Sequence, residues 1–582
     1  MGRGITPSER IRRPRPGRAM AAALVLLGSV AAAASLATAT PVRADVSTVS
    51  VTIGRTGWDS HEPGLAPATV SGSSFGQLYS TPVNGQVFAQ PLVAGPTVVV
   101  ATETNHVYGI NAATGAIIWT RALGTPWPSS ADNCPNPGPN IGTTSTPVYD
   151  STTGTVYLTS KVNDGADVQH PHYYLHALNA SSGAERTGWP VTLQGTPTNS
   201  PGHPFNAFTS LQRPGLLLMG GSVYFGFASL CDNGPYVGTV MGVNTTSRKL
   251  TMWSSEAGSS TGEAGIWMSG GGLVSDGAGR IFVATGNGAG TGASPVKGPG
   301  SRPPAGLGES VVRLGVNTDG SLSAKDFFSP TNNTTMDVND TDLGSGGPAS
   351  LPSSLFGTPA HPHLMVEVGK DGRILMLNRD NLGGQGQGPG GTDNVLSVAG
   401  PFKGVWGHPG VWGGNGGYVY TVETYGQLRA LKYSVTSSGV PTLTSVATSA
   451  EGFGYGSGSP VVTSNNNSGS ALVWSIWSGS GADGQGAELR VYNAVPVNGS
   501  MQLLRSFPIV TATRFSVPAT DSGRVYVGTK DGHLIAFGVQ ATTGATVPNP
   551  APAAPVATSP SPSAPAGTDP CPPTVRLPGF RR

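Results

Sequence analysis

Charge is scarce in this chain of 582 residues: Asp, Glu, Lys and Arg together make up 11% of it. Nowhere do Lys and Arg gather with interleaved aromatics, so the electrostatic footprint of a nucleic-acid binder is missing. Beyond about the first forty residues no apolar segment recurs with the helical period, which removes helix-built folds from consideration. There is no C-x-x-C-H segment to carry haem, and no credible nucleophile elbow among the Gly/Ser-rich turns. Cysteine is nearly absent, with Cys134, Cys231 and Cys571 alone.

Glycine (86) and proline (50) are abundant, and that bias points to many short strands joined by turns. The N-terminus reads separately. Arg10, Arg12, Arg13, Arg15 and Arg18 precede an Ala/Leu/Val run from Met20 to about Ala39, and Val42-Arg43-Ala44 offers small residues before Asp45. This is the pattern of a secretory signal, residues 1–44, cut after Ala44; an uncleaved anchor is the alternative. Removing it takes seven Arg and one Glu from 33 basic and 31 acidic residues, leaving 26 against 30, a net charge of −4. The remainder is expected to be secreted or cell-surface associated, with no transmembrane span. Beyond about Gln540 the sequence becomes "TVPNPAPAAPVATSPSPSAPAGTDP", so 541–582 is expected to be an extended linker and tail. Cys571, within it, is left unpaired or joined to another molecule.

Between these ends one pattern repeats. Segments such as "TVVVATETN" (97–105), "RIFVATGN" (280–287) and "RVYVGTKD" (524–531) recur eight times. Each is followed by a second segment such as "VYGINAATG", "YYLHALNASSG" or "GHLIAFGV". Units spaced by about fifty to eighty residues, each with paired apolar-alternating strands, predict an all-β, eight-bladed β-propeller over residues 45–540. The last unit ends at Gly538 without a further hairpin, so closure is expected from a strand within residues 75–92.

The unit "VYGINAATGAIIW" (107–119) resembles the repeat of pyrroloquinoline-quinone (PQQ) proteins. Eight units resemble the quinoprotein alcohol dehydrogenases. The stretches "FGQLYSTPVNGQVFAQPL" (75–92), "NIGTTSTPVYD" (140–150), "FASLCDNGPYVG" (227–238), "GIWMSGGGLVSDGAGRIFVATGNG" (265–288) and "DTDLGSGGPASLP" (340–352) resemble secreted bacterial PQQ-like propellers. That resemblance implies a mouth for PQQ and Ca²⁺ and nominates its residues. Trp267 takes the place of a stacking floor, or else is a wedge between blades. Asn287 takes the place of a calcium-ligating amide, or else is a turn residue beside Gly288. Asp342 is the candidate catalytic base and Lys370 its partner at the quinone, or else Asp337, Asp340 and Asp342 are loop acids salt-bridged by Lys370.

The resemblance also breaks in places. Where dehydrogenases supply a metal-binding Glu and a following Arg, "SLCDNGPYVG" has neither; Asp232, or Asn233, is the nearest substitute for the Glu as a calcium ligand. An adjacent cysteine pair is replaced by Cys134 alone, so Cys134 and Cys231 are expected to pair with each other across neighbouring blade loops. Without haem a separate electron acceptor would be needed. The His residues at 170, 172, 361 and 363 lack a suitably spaced third ligand and read as loop residues. "GNGAGTG" (286–292) imitates a dinucleotide loop without a following helix. The sequence therefore supports a monomeric propeller that serves as a scaffold for a cell-surface protein or polysaccharide, with a degenerate quinone site. The alternatives are a PQQ- and calcium-dependent dehydrogenase of alcohols or sugars and, more distantly, a polysaccharide hydrolase or lyase.

Overall fold

Strand Thr97–Ala101 shows why these segments need neighbours: Val98 and Val100 face one way, Val99 and Ala101 the other, and all are buried. A sheet apolar on both faces must be covered twice. In the computed structural model, which describes residues 46–134, 137–277, 279–288, 295–466, 470–479 and 484–540, this is met by eight sheets of four or five strands. The expected leader, the Pro-rich tail with Cys571 and part of the 286–292 glycine loop lie outside the described residues.

The first blade pairs Leu92–Ala94, Thr97–Ala101, His106–Asn111 and Ile117–Ala122 in simple antiparallel order. Its outer hairpin turns on the Asn111 carboxamide, which accepts the N–H groups of Ala113 and Thr114 at 2.9 and 3.0 Å. Asn179 and Asn244 make equivalent turns one and two blades along the repeat. Gly109 lies under the Trp119 ring, where a Cβ would come within 2.1 Å of the indole nitrogen. That indole donates to the Ala180 carbonyl of the second blade at 3.0 Å. The repeat tryptophan thus ties a blade to its successor.

Seven further blades follow, centred on strands Thr155–Val162, Ser222–Ser229, Arg280–Ala284, Leu364–Val368, Tyr418–Val422, Ala471–Trp477 and Arg524–Gly528. The main apolar clusters lie between consecutive blades, including one between the eighth and the first. The eighth blade is completed from the other end of the chain: Phe75–Pro82 pairs antiparallel with His533–Val539, Phe75 opposite Val539 and Pro82 opposite His533. Closure therefore uses the strand expected within 75–92.

Nothing in the sequence marks what residues 46–62 do. They run around the axis and bond to the innermost part of each blade in turn. The carbonyls of Val46, Ser47, Ile53, Gly54, Thr56 and Gly57 accept from Val93, Tyr149, Ser275, Ser350, Val411 and Val462, at 2.6–3.2 Å. The third blade is reached through Thr48 and Arg55, both donating to Leu216, and the eighth through Asp59, which accepts from Thr520 at 2.8 Å. Arg55 is fully buried and also donates to the Leu273 and Val49 carbonyls and the Thr48 hydroxyl. On the same clasp the Ser50 hydroxyl donates to His408 Nε2, while His408 Nδ1 faces the Pro409 carbonyl at 3.1 Å.

Burial, assisted by the nearby Arg55 charge, lowers the His408 pKa from 6.5 to about 4. The unfolded chain would take up this proton near pH 6.5 and the folded chain only near 4, so the stabilisation is present above 6.5 and is lost as pH falls through 4. Across that window wild type is expected to lose roughly 3 kcal/mol more than His408→Gln, as measured by denaturant melts at stepped pH. Equal acid slopes would show that His408 does not carry the effect.

Candidate functional site

Loops from around the ring meet at one end of the axis in a cavity of roughly 300 Å³, the small end of the range for ligand pockets. Asp232, Trp267, Asn287, Asp342 and Lys370, all nominated from the sequence, line it together with Cys231. They arrive on different elements. Asp232 stands in the connection between strands Ser222–Ser229 and Thr239–Asn244, and Trp267 opens a short turn before the fourth blade. Asn287 follows strand Arg280–Ala284. Asp340 ends the helix Asn333–Asn339 in a left-handed conformation, turning the chain so that Asp342 and Leu343 come next to the axis. Lys370 follows strand Leu364–Val368, and its backbone N–H donates to the Asp342 carbonyl at 3.1 Å.

The charged groups are already paired with one another. Lys370 Nζ donates to Asp340 Oδ1 at 2.7 Å and to Asp342 Oδ2. The other Asp342 oxygen accepts the Asn287 backbone N–H at 3.2 Å. Asp232 Oδ1 accepts from the Ser229 and Tyr236 hydroxyls at 3.1 and 3.3 Å. Burial opposes the charge on Lys370, but Asp342 and Asp340 outweigh it and hold the ammonium well above its ordinary pKa. Burial, then repulsion from Asp342, raises the pKa of both Asp340 and Asp232. Behind this cluster Glu309, fully buried, accepts the Leu343 N–H at 2.6 Å, and burial with the Asp342 charge pushes its pKa far up. Asn233, the alternative to Asp232, instead donates its amide to the Asp132 carbonyl at 2.6 Å.

Two aromatic walls flank these charges. On one side Tyr455 meets Trp406 and Phe515 edge-on, both at 5.7 Å, and stacks with Tyr425 at 6.2 Å. The Arg514 guanidinium lies 4.6 Å from the Tyr455 ring. On the other side Trp267 packs on the cluster that contains Trp127, Leu230 and the disulfide. Arg213 donates to the Arg514 carbonyl at 2.8 Å and lies 5.7 Å from the Phe88 ring. The run Gly270-Gly271-Gly272 separates this layer from the clasp. A Cβ on Gly270 would strike Arg213 at 2.0 Å, one on Gly272 would strike Arg55 at 2.4 Å, and one on Gly271 would crowd His408 at 3.2 Å.

Sequence reasoning missed the wall formed by Trp406, Tyr425, Tyr455 and Phe515, and the two arginines. Apart from Tyr425, which ends the repeat segment "YVYTVETY" (418–425), none stands in a motif, and only the fold brings them together. Elsewhere, His170 and His172 pair with Asp167 and Asp164 at 2.7 and 2.8 Å, and His363 with Asp380 at 2.7 Å. His170 lies in a loop as expected, whereas His172 opens strand His172–Asn179, which begins just after Pro171.

Cys134 and Cys231 form the expected disulfide, with Cα atoms 5.8 Å apart, tying the connection that enters the second blade to the hairpin that carries Asp232. Replacing both with Ser is expected to lower stability by about 2–5 kcal/mol in thermal melts, and reductant should do the same to wild type but not to the variant. An unchanged melting temperature would show that the bridge adds nothing to the folded state.

A family model described as outer membrane protein assembly factor BamB matches residues 43–226. No curated protein matches the chain. Among solved structures, the quinohemoprotein alcohol dehydrogenase from Comamonas testosteroni is 16% identical over 85% of this chain and 80% of its own, with a TM-score of 0.55. A second such enzyme, ADHIIG from Pseudomonas putida HK5, is 14% identical over 89% and 83%, with a TM-score of 0.55. A europium-containing methanol dehydrogenase is 12% identical over 85% and 98%, with a TM-score of 0.57. At such identities the likeness is one of fold.

Proposed function

We propose that this chain, a PQQ-like β-propeller by its fold, is an exported binding propeller whose axial cavity is a degenerate quinone site. The observation that carries this reading is the convergence of Asp232, Trp267, Asn287, Asp342 and Lys370, distant in sequence, on one cavity between aromatic walls. A flat ligand would lie against Trp267 or the Trp406–Tyr455 wall, and Arg213 and Arg514 suit the carboxylates of PQQ. When bound, PQQ supplies a two-electron acceptor. Export is supported by the leader-like N-terminus and the Cys134–Cys231 disulfide, and no helix among the described residues is long and apolar enough to cross a membrane. A cell-surface protein or polysaccharide remains the partner proposed for the outer surface.

The second reading, a PQQ- and calcium-dependent dehydrogenase of an alcohol or sugar, is favoured by Asp342 reaching the cavity. It is weakened by the state of that carboxylate, since both of its oxygens already accept hydrogen bonds. To act as a general base it would have to give up one of these partners or approach the substrate proton on a remaining lone pair.

Titration of the purified chain with PQQ, followed by tryptophan fluorescence and thermal shift, tests the proposal. Saturable binding is expected, weakened about tenfold or more in Trp267→Ala and Trp406→Ala, with no turnover of alcohols or sugars when a soluble electron acceptor is supplied. Absence of binding at high micromolar PQQ would remove the quinone-site reading, and turnover abolished by Asp342→Asn would establish the dehydrogenase.

A further inference from the structure

A calcium ion in this cavity would have to share carboxylates that already hold other partners. Calcium takes about six to eight oxygen ligands. Here Asp342 gives one oxygen to the Asn287 N–H and the other to Lys370, Asp340 gives Oδ1 to Lys370, and Asp232 gives Oδ1 to two hydroxyls. Among the described residues no group of three His, Cys, Asp or Glu side chains is arranged to hold a metal. The donor set does not fit a divalent cation, and a monovalent one is built in.

That cation is fixed in place. Lys370 Nζ sits between Asp340 and Asp342 and lies 5.9 Å from the Trp406 ring. The chain beside it is closely packed: a Cβ on Gly404 would stand 2.5 Å from the Lys370 carbonyl and 2.7 Å from the Trp406 ring. Moving the ammonium away would leave two carboxylates facing each other in a partly buried site, which is unfavourable. An ammonium has three N–H donors, and Asp340 and Asp342 take two. The third is left for an oxygen of whatever enters the cavity.

We infer that Lys370 is the resident cation of this cavity and stands in for a divalent metal, so that the site binds a planar carbonyl-bearing anion of the quinone class without calcium. This rests on the reading of the cavity as a quinone-type site. The ammonium both neutralises Asp340 and Asp342 and donates to a ligand carbonyl, two tasks that otherwise call for a metal ion.

The test has a ligand arm and a metal arm on the full chain. In the first, PQQ affinity is measured in EDTA and again in millimolar Ca²⁺, for wild type and Lys370→Met. Wild type is expected to bind equally in both, within about twofold, and Lys370→Met about tenfold or more weakly in EDTA. In the second, Tb³⁺ alone is added and luminescence sensitised by the cavity tryptophans is recorded. Wild type is expected to give no saturable signal. Lys370→Met, with Asp340 and Asp342 uncovered, is expected to gain one, together with a Ca²⁺-induced rise in melting temperature.

Tighter PQQ binding in Ca²⁺, or saturable Tb³⁺ binding by wild type, would overturn the inference, as would full PQQ affinity in Lys370→Met. If PQQ does not bind at all, the quinone reading fails, and the Tb³⁺ arm still decides whether the cavity excludes a metal. Should Lys370→Met not fold, Lys370→Arg takes its place: metal-independent PQQ binding is expected, and calcium dependence would count against the inference.

Discussion

A ring of eight sheets leaves eight innermost edges facing a common axis, and buried backbone N–H groups there must find partners. Residues 46–62 supply them, passing from blade to blade and bonding to each. Arg55 anchors the segment by donating to carbonyls on both sides of it. Phe75–Pro82, from the same end of the chain, closes the outer edge of the last blade. Inner and outer closure thus both join the two ends of the domain, so the ring forms through contacts of the longest sequence separation, which are the slow ones to make.

The cavity is the other face of this constraint. The three glycines after Ser269 are squeezed between Arg55 and His408 on the clasp side and Arg213 on the cavity side. Holding the clasp therefore also fixes the layer that carries Arg213 and, through its hydrogen bond, Arg514. Around the lining, Asp232, Asp340 and Asp342 are matched by Lys370, Arg213 and Arg514, so the site carries both signs without an excess of either. A site balanced by its own side chains needs no added ion to hold it together, whereas three uncompensated buried carboxylates would.

How much of this was legible follows from what each feature depends on. The propeller was readable because a blade is local: alternating valines, an Asx turn at Asn111 and a tryptophan over Gly109 all fall within one short hairpin. The residues that gather at the cavity were readable because they stand in family-like stretches, and the pairing of Lys370 with Asp340 and Asp342 was one of the two readings that the sequence left open. The clasp was not legible, since "VSTVSVTIGRTGWDSHE" has no period that marks contact with eight different blades. The aromatic wall was hidden for the same reason. Trp406, Tyr425, Tyr455 and Phe515 come from separate connections, and only ring closure makes them neighbours. The glycine triplet was visible as a motif, but its cause, two arginines and a histidine against the backbone, is a matter of packing.

The most direct test of the account is a crystal structure of the full chain grown with PQQ in the presence of EDTA. The account predicts a flat ligand between Trp267 and the Trp406–Tyr455 wall, with the Lys370 ammonium still held between Asp340 and Asp342 and in contact with a ligand oxygen. An empty cavity under saturating PQQ, or Lys370 swung out with Asp340 and Asp342 turned toward a cation, would contradict it.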